Sequence, residues 1–237
     1  MTFGESSIAN ESTGTGDRVY SNQGNRDLLA LRPEGAREIL DVGCGAGDNA
    51  EILKRACVDC RVTGITYSIA ESRIARPRLD ECYVVDIEHT VPEALVPESF
   101  DLVLFSHVLE HLREPAAVLA RYSELLRPGG VILIAVPNIA CWRIRLQLLR
   151  GDFEYQTSGH MDDTHLRFFT YFTVASYLLS KSPRLSIDTC GASGSVPLWV
   201  MRRVPLLRQA AEAIDRWGVA RWPNLFGGQV LLRVVKR

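Results

Sequence analysis

Short apolar runs recur along the chain, and each closes on a polar residue. The pattern predicts strands over 38–42, 61–66, 82–85, 100–105 and 131–136, with two more at 184–189 and 229–235. Helical spacing fills the intervals at 26–31, 48–57, 68–76, 115–126, 139–150 and 171–180. Strands that alternate with helices at this rhythm predict an α/β fold with a doubly wound, mostly parallel sheet. Seven strands are expected, the last antiparallel. Asp41, Thr66, Asp86 and Ser106 stand at the ends of the first four runs, 25, 20 and 20 residues apart. Parallel strands end on one edge, so these four side chains converge where such sheets bind ligands.

The flanks read differently. Residues 1–17 are rich in Ser, Thr, Gly, Asn and Glu and predict a flexible tail. The remainder, 18–237, reads as one domain, with candidate lid elements at 139–180 and 197–227. In the latter, Trp199, Leu206, Leu207, Ile214, Trp217 and Trp222 alternate with several Arg, predicting an amphipathic helix over the ligand edge. A surface that meets membrane or a lipid-linked substrate is the other reading of that segment.

Composition narrows the class. A hydrophobic share of 46% fits a globular domain, and a net charge of -1 argues against a nucleic-acid partner. No apolar run approaches the roughly 18 residues needed to span a bilayer, and no signal pattern opens the chain, so a cytoplasmic protein is expected. The six Cys are scattered. Cys57 and Cys60 have metal-pair spacing, but no second pair completes a site, so reduced thiols and no metal are expected.

The chemistry concentrates at Asp41-Val42-Gly43-Cys44-Gly45-Ala46-Gly47. Glycines between a strand and a helix let a ligand approach the backbone closely. A dinucleotide loop would carry its third glycine where Asp48 stands. No basic residue is present to hold a phosphate, so the loop suits a cationic, phosphate-free ligand. This stretch resembles the first motif of class I S-adenosylmethionine (SAM) dependent methyltransferases. The segments from 38 to 138 follow that family's order.

The resemblance implies SAM as cofactor and S-adenosylhomocysteine (SAH) as product. It implies that Gly43, Cys44 and Gly45 meet the methionine part through backbone atoms, and that Asp41 bonds its ammonium directly or through water. Gly64-Ile65-Thr66-Tyr67-Ser68 is similar to the G-[IL]-T-x-S variant of cyclopropane-synthase-like and sterol-type relatives. There a Gln five residues past the Thr reaches the ribose; Glu71 stands here. Asp86 would accept from the adenine amino group and Ile87 would pack on the ring, while Ser106 and His107 fall at the ligand edge. Asp101 begins its strand and is assigned a structural role.

Methyl transfer to a hydroxyl needs a base. His107, His111 and His165 are the candidates. Val108-Leu109-Glu110-His111 resembles the E-x-x-E-H arrangement that holds a divalent cation in ubiquinone-pathway O-methyltransferases, but His107 replaces the first Glu, which disfavours Mg²⁺. Asp162-Asp163-Thr164-His165-Leu166-Arg167-Phe168-Phe169-Thr170 resembles the D-x-T-H-x-R-F-F-T segment of bacterial glycan and natural-product methyltransferases. His165 is then the base or orients the acceptor, tuned by Asp162 or Asp163; the alternative is that Thr164, His165 and Arg167 brace a lid. The expected reaction is O-methylation of a sugar or natural product. The alternatives are N- or C-methylation, or a non-catalytic binding protein of the same fold. A small-molecule acceptor is the expected partner, a homodimer is allowed, and the acceptor itself is not legible.

Overall fold

The computed structural model describes residues 23–198, 201, 204 and 207–237. The tail expected over 1–17 lies outside these, as do Trp199 and Leu206. Seven strands form one sheet: β1 Glu38–Val42, β2 Arg61–Thr66, β3 Glu81–Val84, β4 Phe100–Ser106, β5 Leu126–Pro137, β6 Leu185–Gly194 and β7 Gly227–Lys236. Their order is β3-β2-β1-β4-β5-β7-β6. β1 to β5 run parallel, and β7 runs antiparallel to both of its neighbours, β5 and β6. The doubly wound, seven-stranded fold expected from the sequence is therefore present.

Strand periodicity divides the core in two. Leu40, Val42, Ile65, Val103, Phe105, Ile132 and Ile134 face one side, where α4 (Pro115–Ser123) and α6 (Val174–Leu178) cover them with Val118, Leu119, Tyr122, Val174 and Leu178. Ile39, Val62, Leu102, Leu104, Val131 and Leu133 face the other. That side packs on α1 (Arg26–Leu29), α2 (Asp48–Ala56) and α3 (Ile69–Ala75) through Leu28, Leu29, Ala50, Leu53 and Ala75. Strands covered on both faces need apolar side chains at successive positions, which explains the continuous runs.

Two boundaries differ from the sequence expectation. The strand expected over 131–136 is longer: β5 begins at Leu126, which pairs with Phe100 before the register shifts. The helix expected over 139–150 is α5, Trp142–Leu149. Asn138 delays its start by accepting from the Ala140 and Cys141 N–H groups, through Oδ1 and its carbonyl respectively. Asp101 has the structural role expected of it. Its carboxylate accepts from the Arg37 and Glu38 N–H groups and pairs with Arg127 at 2.6 Å, tying β4 to the entry of β1. The amphipathic segment contains the helix Arg208–Arg221, on which Trp217 is 62% exposed. No helix of the described residues is long and apolar enough to cross a membrane.

Candidate active site

The carboxyl ends of β1, β2, β3 and β4 open into one cavity of about 1030 Å³. That volume is at the upper end for small-molecule sites and accommodates a nucleoside together with a second molecule. Gly43, Gly45, Thr66, Tyr67, Glu71, Asp86, Ile87, Ser106, His107, His111 and His165 all line it. Of the expected site residues, Asp41, Cys44 and Ser68 do not.

The glycine loop is shaped by its own backbone. Gly43, Gly45 and Gly47 have φ of 76°, 52° and 83°, a region that penalises any Cβ. The N–H groups of Gly43 and Cys44 both donate to the Ile65 carbonyl at 2.8 Å, so Cys44 is anchored to β2 rather than presented to the cavity. Its thiol packs inward, 3.7 Å from the Gly45 carbonyl. Ser68 is likewise committed: its hydroxyl caps α3 by accepting from the Glu71 N–H.

Glu71 sits under that cap. It is 6% exposed, and its Oε2 accepts from the Thr66 hydroxyl at 2.6 Å. The end of β2 thus presents a carboxylate from α3, resting on Thr66. Asp86 uses Oδ1 to accept from the Glu88 N–H, and Oδ2 is 3.9 Å from His89.

Asp41, expected to reach the ammonium directly or through water, lies outside the cavity lining. Its side chain leaves β1 into the layer beneath the loop, it is fully buried, and neither oxygen has a hydrogen-bond partner among the described residues. Burial lifts its pKa from 3.8 to about 7; Asn49 opposes this, and Asp48 adds to it. The native state therefore keeps a proton that the unfolded chain releases between those values. Asp41's stabilising contribution is complete below that window and is lost as pH rises through it. We expect Asp41→Asn to raise the stability of the cofactor-free protein at pH 8 by up to about 4 kcal/mol, with little change near pH 4. Thermal melts at both pH values check this; parallel shifts in mutant and wild type would refute it.

Three histidines differ in what holds them. His107, at φ 56°, follows β4 in a conformation uncommon for a non-glycine residue and enriched at functional sites. Its Nδ1 is 3.2 Å from Glu110 Oε1 and its Nε2 is 2.9 Å from Gln229 Oε1. Its side chain is 41% exposed, but to the cavity lumen: the ring is deep yet reachable. Burial disfavours its charge, and Glu110 and Gln229 together outweigh that and raise its pKa. With acceptors at both nitrogens, His107 fits a proton holder better than a base.

His165 is the reverse case. Its Nδ1 faces the His160 carbonyl at 3.2 Å, Nε2 has no hydrogen-bond partner among the described residues, and burial lowers its pKa. That shift favours the neutral form of the ring. His111 packs edge-on against it, with ring centroids 4.7 Å apart, and its Nδ1 is 2.9 Å from the Thr164 hydroxyl. Asp162 Oδ1 accepts from the Thr164 N–H and hydroxyl, so it braces the loop. Asp163 is outside the cavity lining, and Arg167 donates to the Arg113 carbonyl. Glu110, His111 and His165 bring donor atoms within 4.8 Å of one another, a nitrogen-rich set that suits a borderline cation better than Mg²⁺.

Sequence reasoning missed the closing wall. Gln229 of β7 donates to Ser193 Oγ of β6 at 2.7 Å and accepts from the Asn25 amide at 2.8 Å, while the Asn25 N–H donates to Asn49. Asn25 and Gln229 are 204 residues apart, and no local spacing connects them. Arg26 was missed too, although it is the only Arg or Lys among the described residues that line the cavity.

The fold and the strand-end cavity are those of a methyltransferase domain. Residues 16–179 match the model of a methyltransferase-domain family, and the chain belongs to that family. It is 37% identical over 124 residues to the ubiquinone biosynthesis O-methyltransferase of Dinoroseobacter shibae, covering 51% of this chain and 49% of the relative. It is 35% identical over 116 residues to the trans-aconitate 2-methyltransferase of Afipia carboxidovorans, covering 48% and 44%. The chain spans about half the length of the curated relatives it matches. In fold it is similar to a SAM-dependent methyltransferase of Thermotoga maritima described as a possible histamine N-methyltransferase, at TM-score 0.59 and 17% identity over 89% of this chain and 86% of the other. It is also similar to the plantazolicin methyltransferase BpumL in complex with SAH, at TM-score 0.54 and 17% identity over 89% and 80%.

Proposed function

We propose that the protein methylates a hydroxyl of a small, polar, polyhydroxylated acceptor of the sugar or natural-product kind. Bound SAM supplies a methyl group already activated on a sulfonium. The chain's own residues must then orient the acceptor, exclude water and accept one proton. Glu71 on Thr66 is assigned to the ribose hydroxyls, Asp86 and Ile87 to the adenine, the Gly43–Gly45 backbone to the methionine chain and Arg26 to its carboxylate. His165 takes the acceptor's proton on Nε2, while the His160 carbonyl holds its tautomer.

The observation that carries this reading is the composition of the wall beyond the glycine loop. Ser158, His160, Asp162, Thr164, His165 and Gln229 line it, and Tyr67 is the only Phe, Tyr or Trp among the described lining residues. Such a wall recognises hydroxyls by hydrogen bonds. Among the described residues it offers no ring cage to a developing cation, which argues against the N- and C-methylation alternatives.

The experiment combines SAM with a panel of sugars, polyols, amines and phenols, and reads SAH release and product mass. Turnover on hydroxylated members supports the proposal. Turnover confined to amines, or none from a protein that binds SAH, refutes it; the second result favours the non-catalytic reading. In calorimetry Arg26→Ala should weaken SAH binding by about tenfold, roughly 1.4 kcal/mol. Unchanged affinity would remove Arg26 from the carboxylate.

A further inference from the structure

Two cysteines that methyl transfer does not use meet beneath the glycine loop. Gly64 of β2 pairs in register with Cys82 of β3 and with Asp41 of β1. In-register residues on neighbouring strands project to the same face, with strands about 4.8 Å apart. Gly64 makes room on that face for Leu79 and Cys44: a Cβ placed on it would lie 2.5 Å from Leu79 Cδ1 and 2.8 Å from Cys44 Sγ. Cys44 reaches down from the loop into this gap, and Cys82 stands beside it. The two thiols are near enough to shift each other's ionisation in opposite directions.

We propose that Cys44 and Cys82 are a peroxide-responsive thiol pair whose disulfide staples the glycine loop to β3 and closes the cofactor site. The two thiols are differentiated for this chemistry. The neighbouring Cys44 thiol and the charge of Arg76 bring Cys82 down to about 7, against its burial. The Cys82 sulfur, burial and the nearby Asp41 and Glu71 carboxylates keep the proton on Cys44. Cys82 is half-buried, and Cys44 is 6% exposed. The attacking sulfur is thus the more ionised and more accessible one, as thiolate chemistry requires.

In the first step the Cys82 thiolate attacks one oxygen of a hydroperoxide. The O–O bond breaks, Cys82 becomes a sulfenic acid, and the departing oxygen takes up a proton. In the second, Cys44 sulfur attacks the Cys82 sulfur, the S–O bond breaks, and water leaves with the Cys44 proton. Two thiols lose two electrons and two protons, and the hydroperoxide is reduced.

The loop responds because Cys44 stands between Gly43 and Gly45, both on the cavity wall. Its N–H and that of Gly43 share one carbonyl, Ile65. A covalent S–S bond is shorter than any thiol contact, so it draws Cys44 towards β3 and the loop off that carbonyl. This consequence rests on the cavity being the cofactor site; the cross-link itself does not.

The test treats folded protein with hydrogen peroxide, maps peptides without reduction and titrates SAH by calorimetry. Expected are a Cys44–Cys82 cross-link, a fall from six titratable thiols to four, and SAH affinity weaker by about tenfold or more, restored by dithiothreitol. Cys82→Ser should bind SAH as the reduced wild type does and lose the peroxide response. Oxidation at other cysteines with no 44–82 link overturns the pair. A link that leaves SAH affinity unchanged overturns its control of the loop. Failure of the reduced protein to bind SAH sinks the cofactor reading and the loop control with it, while the mapped cross-link still judges the pair.

Discussion

Gly43→Val is expected to abolish cofactor binding. A Cβ at Gly43 would lie 2.3 Å from Val108 Cγ2 and 3.1 Å from Cγ1, with φ at +76°. Alanine alone would carry about 1 kcal/mol of backbone strain there. A β-branched residue adds two atoms that must displace Val108, the neighbour of His107. The loop can relieve the clash only by leaving the Ile65 carbonyl. SAH affinity should fall by about a hundredfold or more, and the melting temperature by several degrees (about 1–3 kcal/mol). Wild-type affinity in this variant would mean that the cofactor does not use the loop.

His165→Ala is expected to remove most turnover while leaving the cofactor in place. Loss of a general base costs typically about 10²–10⁴ in rate. His165 contacts none of the residues assigned to the adenosine end, so SAH affinity should stay within about twofold. A stopped assay for kcat alongside calorimetry separates the two effects. Turnover near wild type would return the proton to another group. His107 is the less suitable substitute, since acceptors face both of its nitrogens.

The sequence was most readable where structure is local. β1 and β2 have the bounds that their apolar runs imply, because strands covered on both faces are mostly apolar along their length. The cavity residues Thr66, Asp86, Ser106 and His107 were legible because parallel topology forces strand ends to one edge. Asp41 shares that edge in sequence but not in space. Asp41 pairs with Gly64 and Leu104, two residues short of Thr66 and Ser106, so it shares their face but lies deeper in the sheet. Glu71 lies on a helix five residues past Thr66, and its contact with the Thr66 hydroxyl exists only once α3 packs against β2. The Asn25, Ser193 and Gln229 wall joins three distant segments, so it exists only in the assembled fold.

The position of β7 bears on how the protein is made. Because this strand lies between β5 and β6, residues 185–194 have no sheet partner until 227–236 leave the ribosome. Until then a nascent chain exposes the edge of β5, whose Ile132, Leu133, Ile134, Ala135 and Val136 are all buried once β7 arrives. An unpaired apolar edge of that kind invites pairing with a neighbouring chain. Translation arrest before residue 227 should therefore yield insoluble polypeptide rather than a smaller folded domain.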